Sequence, residues 1–313
     1  MLTRRLVRIK AMHTLYSLRQ NGENSEKIGQ QMFVKHITNI QNSYFFSIKL
    51  IQALDQFLIT ELNLEESKYY PSKEKIRTHK LLNKNKLLSI IDATPINSVD
   101  NFNSSWNNEG EAILTLYRYI VDLDFCKDYL VFEEPSFEQS KDFLLKLIAT
   151  AFKHVPEIDE ALNNAFITWH DDKKQVVKAV LQTISQVKEN DLELPLQIIP
   201  MQDNEEIVFG KRLVEKVLIN QQEMLLILDK HIKNWDVERM AQTDQLLILL
   251  AYCEFIYFED IPLKVTINEY LEVSKQFSTP QSSKFLNGVL DSLKNQLTHE
   301  KKINKNEKGL REM

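Results

Sequence analysis

The sequence predicts an all-α protein, and two observations carry that expectation. Only six glycines and eight prolines occur in 313 residues. Glycine supplies tight turns and phosphate-cradling loops, so this scarcity points to helices joined by short polar connections. Apolar residues also recur at intervals of three and four, as at Phe33, Ile37, Ile40, Tyr44, Ile48, Ile51, Leu54 and Leu58. That spacing is the mark of a buried helical stripe, and a 43% hydrophobic content is enough to fill a core.

Residues 4–20 read as the first helix. At about 100° per residue, Arg4, Arg5 and Arg8 fall within an arc of roughly 100°, and Met12 and Leu15 continue the same arc. The arc starts basic and becomes apolar, as expected of a helix whose first turns project beyond a core. Positive charge at a helix N-terminus opposes the macrodipole, a reason to look outside the fold for what these arginines serve. The first 22 residues contain no acid.

Residues 25–64 follow as one long helix or two. From Ser72 to Lys86 the chain turns basic, which fits a solvated connecting face, with a nucleic-acid contact as the alternative. Residues 92–110, with Pro95, several asparagines and Gly110, read as a loop. Helices are expected at 111–132, 137–154, 157–170 and 172–189. Pro195 and Pro200 mark a break before helices near 204–219, 221–234, 239–257, 265–277 and 281–298. The charged stretch after residue 298 is expected to fray. Shifting the chain by 66 residues sets Phe143 on Phe209, Leu147 on Leu213, Glu157 on Glu223, Leu162 on Leu228 and Trp169 on Trp235, either a duplicated helical unit or a coincidence of amphipathic helices.

Composition narrows the function. A net charge of −5 speaks against a generic polyanion binder, so any nucleic-acid contact must be local. Cys126 and Cys253 stand far apart in apolar contexts and read as buried reduced thiols, which fits a cytoplasmic protein. The opening TRRLVRIK has the paired arginines of an export signal, but Lys10, His13, Arg19 and Gln20 interrupt the apolar stretch such a signal needs. No apolar run reaches the ~20 residues that span a bilayer, so no membrane partner is expected. The seven histidines lack metal-ligand spacing, and the acids of HDDKK at 170–174 resemble a solvated helix start. No nucleophile elbow, phosphate loop or dinucleotide fingerprint occurs. Neither a metal nor a cofactor nor an enzymatic activity is expected.

Two segments together carry a family resemblance. The opening RRLVRIKAMHTLYSL resembles the arginine-rich first helix of the NusB family of bacterial transcription antitermination factors, with Thr14, Leu15 and Tyr16 at its Ala-Leu-Tyr pattern. From Glu205 the similarity continues through Phe209, then Asp244, Leu247, Leu250, Ala251 and Glu254, and into PLKVTINE and KFLNGVLD. Two departures stand out. Family members are typically less than half as long, so residues from about 30 to 200 form an expansion, and Leu6 and Ile9 replace the usual arginine and glutamate. The expected organisation is a 1–200 N-terminal helical region holding the basic helix and additional inserted helices, a 201–298 NusB-like bundle, and a 299–313 tail.

The resemblance implies an all-helical, non-enzymatic factor that binds the boxA element of nascent ribosomal RNA transcripts. It would do so jointly with NusE, a ribosomal protein, and meet other Nus factors and RNA polymerase. The expected RNA-binding residues are Arg4, Arg5, Arg8, Lys10, Tyr16, Asp260 and Lys264. Arginine suits the task because its planar guanidinium pairs with phosphate and stacks on unpaired bases. Tyr16 suits base stacking and equally a core position. Asp260 and Lys264, ahead of the INE helix, can contact base amino groups and phosphate or merely order the loop. Asn268 and Glu269 read as helix-start residues, and Gly288 as a point of close helix approach. Two alternatives stay open: an interaction scaffold that kept the fold and lost RNA binding, and an RNA-targeting subunit of an rRNA methyltransferase.

Overall fold

The computed structural model describes residues 2–96, 105–231 and 240–310. Among them every regular element is helical. Helix α1 (Arg4–Gln20) begins where the Thr3 side chain accepts from the Leu6 amide at 3.3 Å, satisfying one of the free first-turn donors. It ends at Asn21 and Gly22, whose φ of 66° lies in the left-handed region glycine adopts freely. Helix α2 (Glu26–Glu66) is a single element of 41 residues, about 60 Å long at 1.5 Å per residue.

Helices α3 (Lys73–Asn83), α4 (Leu88–Ala93), α5 (Gly110–Val121), α6 (Asp124–Tyr129), α7 (Phe137–His154), α8 (Pro156–Ala165) and α9 (Trp169–Gln186) follow. A reciprocal capping box between Ser136 and Gln139 starts α7, and a first-position proline starts α8, where its missing N–H costs nothing. Then come α10 (Glu205–His231), α11 (Gln242–Tyr257), α12 (Leu263–Phe277) and α13 (Pro280–His299).

The chain forms two compact units, Thr38–Ile199 and Leu2–Ile37 with Pro200–Met313. In the first, α7 lies against α6, α8 and α9, and α5 against α8. In the second, α11 is the central helix. Its residues 246–255 are all buried, and it packs against α1, α10, α12 and α13. A helix that is apolar all round must be enclosed on every side. Gly210 permits close approach within this unit: a Cβ there would stand 2.0 Å from the Phe33 ring.

Several expectations change. The basic helix does not belong with residues 38–199: α1 folds with α10–α13, so the family-atypical expansion is itself a separate unit. The two helices expected at 204–219 and 221–234 are one, α10, because nothing at Gln221 interrupts helical hydrogen bonding. The helix expected at 111–132 instead breaks at Asp122 and Leu123 between α5 and α6. The loop expected at 92–110 contains a short 3₁₀ turn, Trp106–Asn108. Trp106 is buried there, stacked on Phe46 at 4.5 Å and donating to the Phe46 carbonyl at 2.8 Å; residues 97–104 lie outside the described set.

The stretch after His299, expected to fray, docks. Lys305 Nζ donates to the carbonyls of Glu254 and Phe258 at 3.2 and 2.6 Å, and the Asn306 amide donates to Glu259 O at 3.1 Å. A lysine at the end of α11 meets the carbonyls that a helix leaves without partners. Gly288 is exposed with open space around it, so it mediates no close helix approach. As to the 66-residue echo, α10 runs unbroken where α7 and α8 are separated at Val155; the Leu228 side chain and Trp235 fall outside the described residues.

Candidate nucleic-acid interface

The seven expected RNA-binding residues all lie in the second unit, but at different depths. Arg8 and Lys10 are inside the molecule, 2% and 0% exposed. The Arg8 guanidinium donates from Nε and Nη2 to the two oxygens of Glu254, at 2.9 and 2.7 Å. Thr266 adds a donor to one oxygen at 2.8 Å and Tyr270 to the other at 3.1 Å, so each carboxylate oxygen receives two hydrogen bonds. Burial alone would push the Arg8 pKa down, but the attraction and hydrogen bonds of Glu254 outweigh it and raise it. Burial and the neighbouring Glu254 charge hold the Tyr270 hydroxyl well above its ordinary value. Arg8 is thus an internal cation with a dedicated counter-ion, and in this conformation neither it nor Lys10 can meet a phosphate. Both are corrections to the expected contact set. The α1 helix projects less than its arc of cations suggests: the core begins at Leu6, and every residue from Leu6 to Met12 is buried.

Arg4 and Arg5 do reach the surface. Arg5 donates to both oxygens of Glu269 at 2.9 and 2.8 Å with its side chain still 47% exposed. The hydrogen bond from Arg5 holds the Glu269 carboxyl below its ordinary range, and Glu269 raises the Arg5 pKa in return. Arg4 pairs with Glu206 at 2.6 Å and lies over the Phe209 ring at 4.4 Å. Glu269 is therefore no helix-start residue: α12 begins at Leu263 after Pro262, and Glu269 stands two turns in, as the partner of Arg5.

Tyr16 is 42% exposed. It lies within about 20° of Arg5 on the α1 wheel and three turns further along, but the residues between them, Leu6 to Met12, are all buried, so the two form separate exposed points. Lys264 is exposed in the first turn of α12, and Asp260 is exposed in the preceding turn. The Arg5–Glu269 pair fastens the start of α1 to the first two turns of α12. Asp260 acts on Lys305: burial lowers the Lys305 pKa to about 8, against the opposing pull of Glu254, Asp260 and Glu259.

Glu254 is the residue that sequence reasoning passed over. It appeared only as part of an apolar helix's family pattern, yet an acid within AYCEFIY is itself a signal. A carboxylate enclosed among apolar side chains requires a buried cation, and the acid-free first helix held the candidates.

The described residues form an all-helical protein whose first helix brings Arg4 and Arg5 to the surface, each paired with a glutamate. The family profile described as "NusB family" matches residues 178–295. The Listeria monocytogenes protein named "Transcription antitermination protein NusB" is 31% identical over 121 residues, covering 39% of this chain and 94% of that protein. The Listeria welshimeri protein of that name shows the same identity and coverage. The Chloroherpeton thalassium protein of that name is 38% identical over 99 residues, covering 32% of this chain but 47% of that protein. No solved structure matches the chain. The chain belongs to the NusB family, a family of transcription antitermination factors. The matched segment spans the second half of α9, α10 to α12 and most of α13. Helix α1 lies outside it in sequence and nevertheless packs against α10, α11 and α12. No helix of the described residues is long and apolar enough to cross a membrane.

Proposed function

We propose that this chain is a non-enzymatic, cytoplasmic transcription antitermination factor that binds boxA-like single-stranded RNA together with NusE. In that role it supports ribosomal RNA transcription alongside other Nus factors and RNA polymerase. The single observation that carries the RNA contact is Arg5 at the start of α1, whose side chain stays 47% exposed while it grips Glu269. Arg5 already adopts a forked geometry toward a carboxylate, and the same fork fits a phosphate. Exposed ion pairs contribute about 0–1 kcal/mol, so Arg4 and Arg5 can exchange glutamate for phosphate at small cost. The buried Arg8 pair cannot.

One observation favours a second reading. Both surface arginines are engaged within the chain, Arg4 with Glu206 and Arg5 with Glu269, which fits an interaction scaffold that kept the fold without binding RNA. Titration of fluorescent boxA RNA with the full chain and NusE separates the two. On the RNA reading, Arg4→Ala and Arg5→Ala weaken binding several-fold each. Affinity unchanged by both substitutions leaves the scaffold reading standing.

A further inference from the structure

The unit that the family profile mostly leaves unmatched carries a groove of about 1050 Å³ along α7, α8 and α9. Its floor is apolar: Leu145 and Ala149 of α7 face Val177 and Leu181 of α9, each pair at i, i+4 spacing. At one end lie Phe152 and Trp169, ring centroids 5.9 Å apart. That end is fixed in place, because Trp169 Nε1 donates to one oxygen of Asp159 at 3.0 Å and Lys173 meets the other.

The rim is cationic. Lys146 and Lys153 rise from α7, and Lys173, Lys174 and Lys178 from α9. The lining holds one carboxylate, Asp159, already bound to Lys173. Lys146 pairs with Asp142 across one turn. Lys153, Lys174 and Lys178 are exposed and join no ion pair among the described residues.

We propose that this groove receives an acidic amphipathic helix of a partner protein, its apolar face on the floor and its carboxylates against the lysines. Helix-in-groove recognition reads anchors at i, i+3 or i+4, and i+7, and the row from Lys173 to Ser185 extends about 18 Å, roughly three turns of a bound helix. The lysines select acidic partners and speed their approach, while the floor supplies burial. Single-stranded RNA fits less well. The lining contains no arginine, and its two large aromatic rings are buried where a base needs an open stacking face. This inference stands on its own residues, independent of the α1 surface.

The test uses the full chain and a fluorescein-labelled synthetic helix roughly four turns long, leucines at i, i+3 and i+7 and glutamates flanking them. Its controls are a scrambled peptide and one with lysine in place of glutamate. Saturable binding of the acidic helix is expected, absent with the scrambled peptide. A variant carrying Lys153→Glu, Lys174→Glu and Lys178→Glu, all at exposed positions, weakens binding about tenfold or more. That variant in turn binds the lysine peptide in preference. Absence of saturation, equal binding of the scrambled peptide, or indifference to charge reversal overturns the proposal. So does a labelled single-stranded RNA that displaces the peptide and loses affinity in the same variant, which assigns the groove to nucleic acid.

Discussion

Arg8 and Glu254 meet inside the second unit through two parallel hydrogen bonds of 2.9 and 2.7 Å, with both residues almost wholly shielded from solvent. The pair joins the first helix of the chain to the central helix, across 246 residues of sequence. Removing one member leaves the other charge enclosed without its counter-ion, which costs about 3–5 kcal/mol. Arg8→Met should lower the unfolding free energy of the second unit, read from urea denaturation, by that amount. Arg8→Met combined with Glu254→Leu should recover much of it, because neither charge of the pair is left without its partner. A single variant as stable as the parent chain would sink this account of the interface between α1 and α11.

Gly210 and Gly288 make opposite predictions from the same substitution. Alanine in place of glycine favours an exposed helix by up to about 1 kcal/mol. At Gly288 a new Cβ meets nothing within 4 Å, so Gly288→Ala should raise stability. At Gly210 it would fall 2.0 Å from a Phe33 ring that is itself fully buried. Overpacking of that kind costs about 1–3 kcal/mol, and Gly210→Ala should be destabilising overall. Thermal unfolding of the two variants side by side checks both signs.

His13 and His36 set a pH dependence. Burial first, then the nearby Lys10 charge, pushes His13 down to about 3 and His36 to about 4. Thr14 gives its hydroxyl proton to the Lys10 carbonyl at 2.8 Å. Its oxygen, 3.1 Å from His36 Nδ1, can then only accept, so that nitrogen carries the hydrogen. Both folded-state values lie below the ordinary 6.5, so the unfolded chain binds more protons between the two. Stability is present in full above pH 6.5 and falls as the pH drops toward 4, by an amount on the order of a few kcal/mol. Urea unfolding at steps across this range should show the decline, and His36→Asn should flatten it. A stability independent of pH over the same interval contradicts the buried, neutral assignment.

RNA affinity should carry a modest salt dependence. With Arg8 and Lys10 enclosed, three of the expected cations still reach solvent, Arg4 in part and Arg5 and Lys264 openly. Single-stranded nucleic acid contributes a log–log slope near −0.7 per phosphate neutralised, so the parent chain should show about −2. Arg5→Ala and Lys264→Ala should each reduce it by about 0.7. A slope much steeper than this points to cations outside the α1 and α12 surface.

Much of the architecture was legible from spacing and punctuation. The bounds of α1 and α7 were read directly, since each has a polar cap ahead of a periodic apolar run. Boundaries were missed where the pattern carried no punctuation. Gln221 offers no breaker, so α10 continues, while the break at Asp122 and Leu123 falls in a stretch that contains neither glycine nor proline. The tail was misjudged because its docking depends on one lysine meeting carbonyls at the end of α11, groups that sequence does not advertise.

The sequence by itself determined that the chain is helical, that its first helix carries cations and no acid, and that its opening and closing segments resemble one family. Those are properties of composition and short-range spacing. Only the tertiary structure decided which cations face solvent. Helix periodicity sets direction around the axis but not the depth at which the helix lies. That depth is fixed by partners hundreds of residues away: Glu254 draws Arg8 inward, while Glu206 and Glu269 hold Arg4 and Arg5 at the surface.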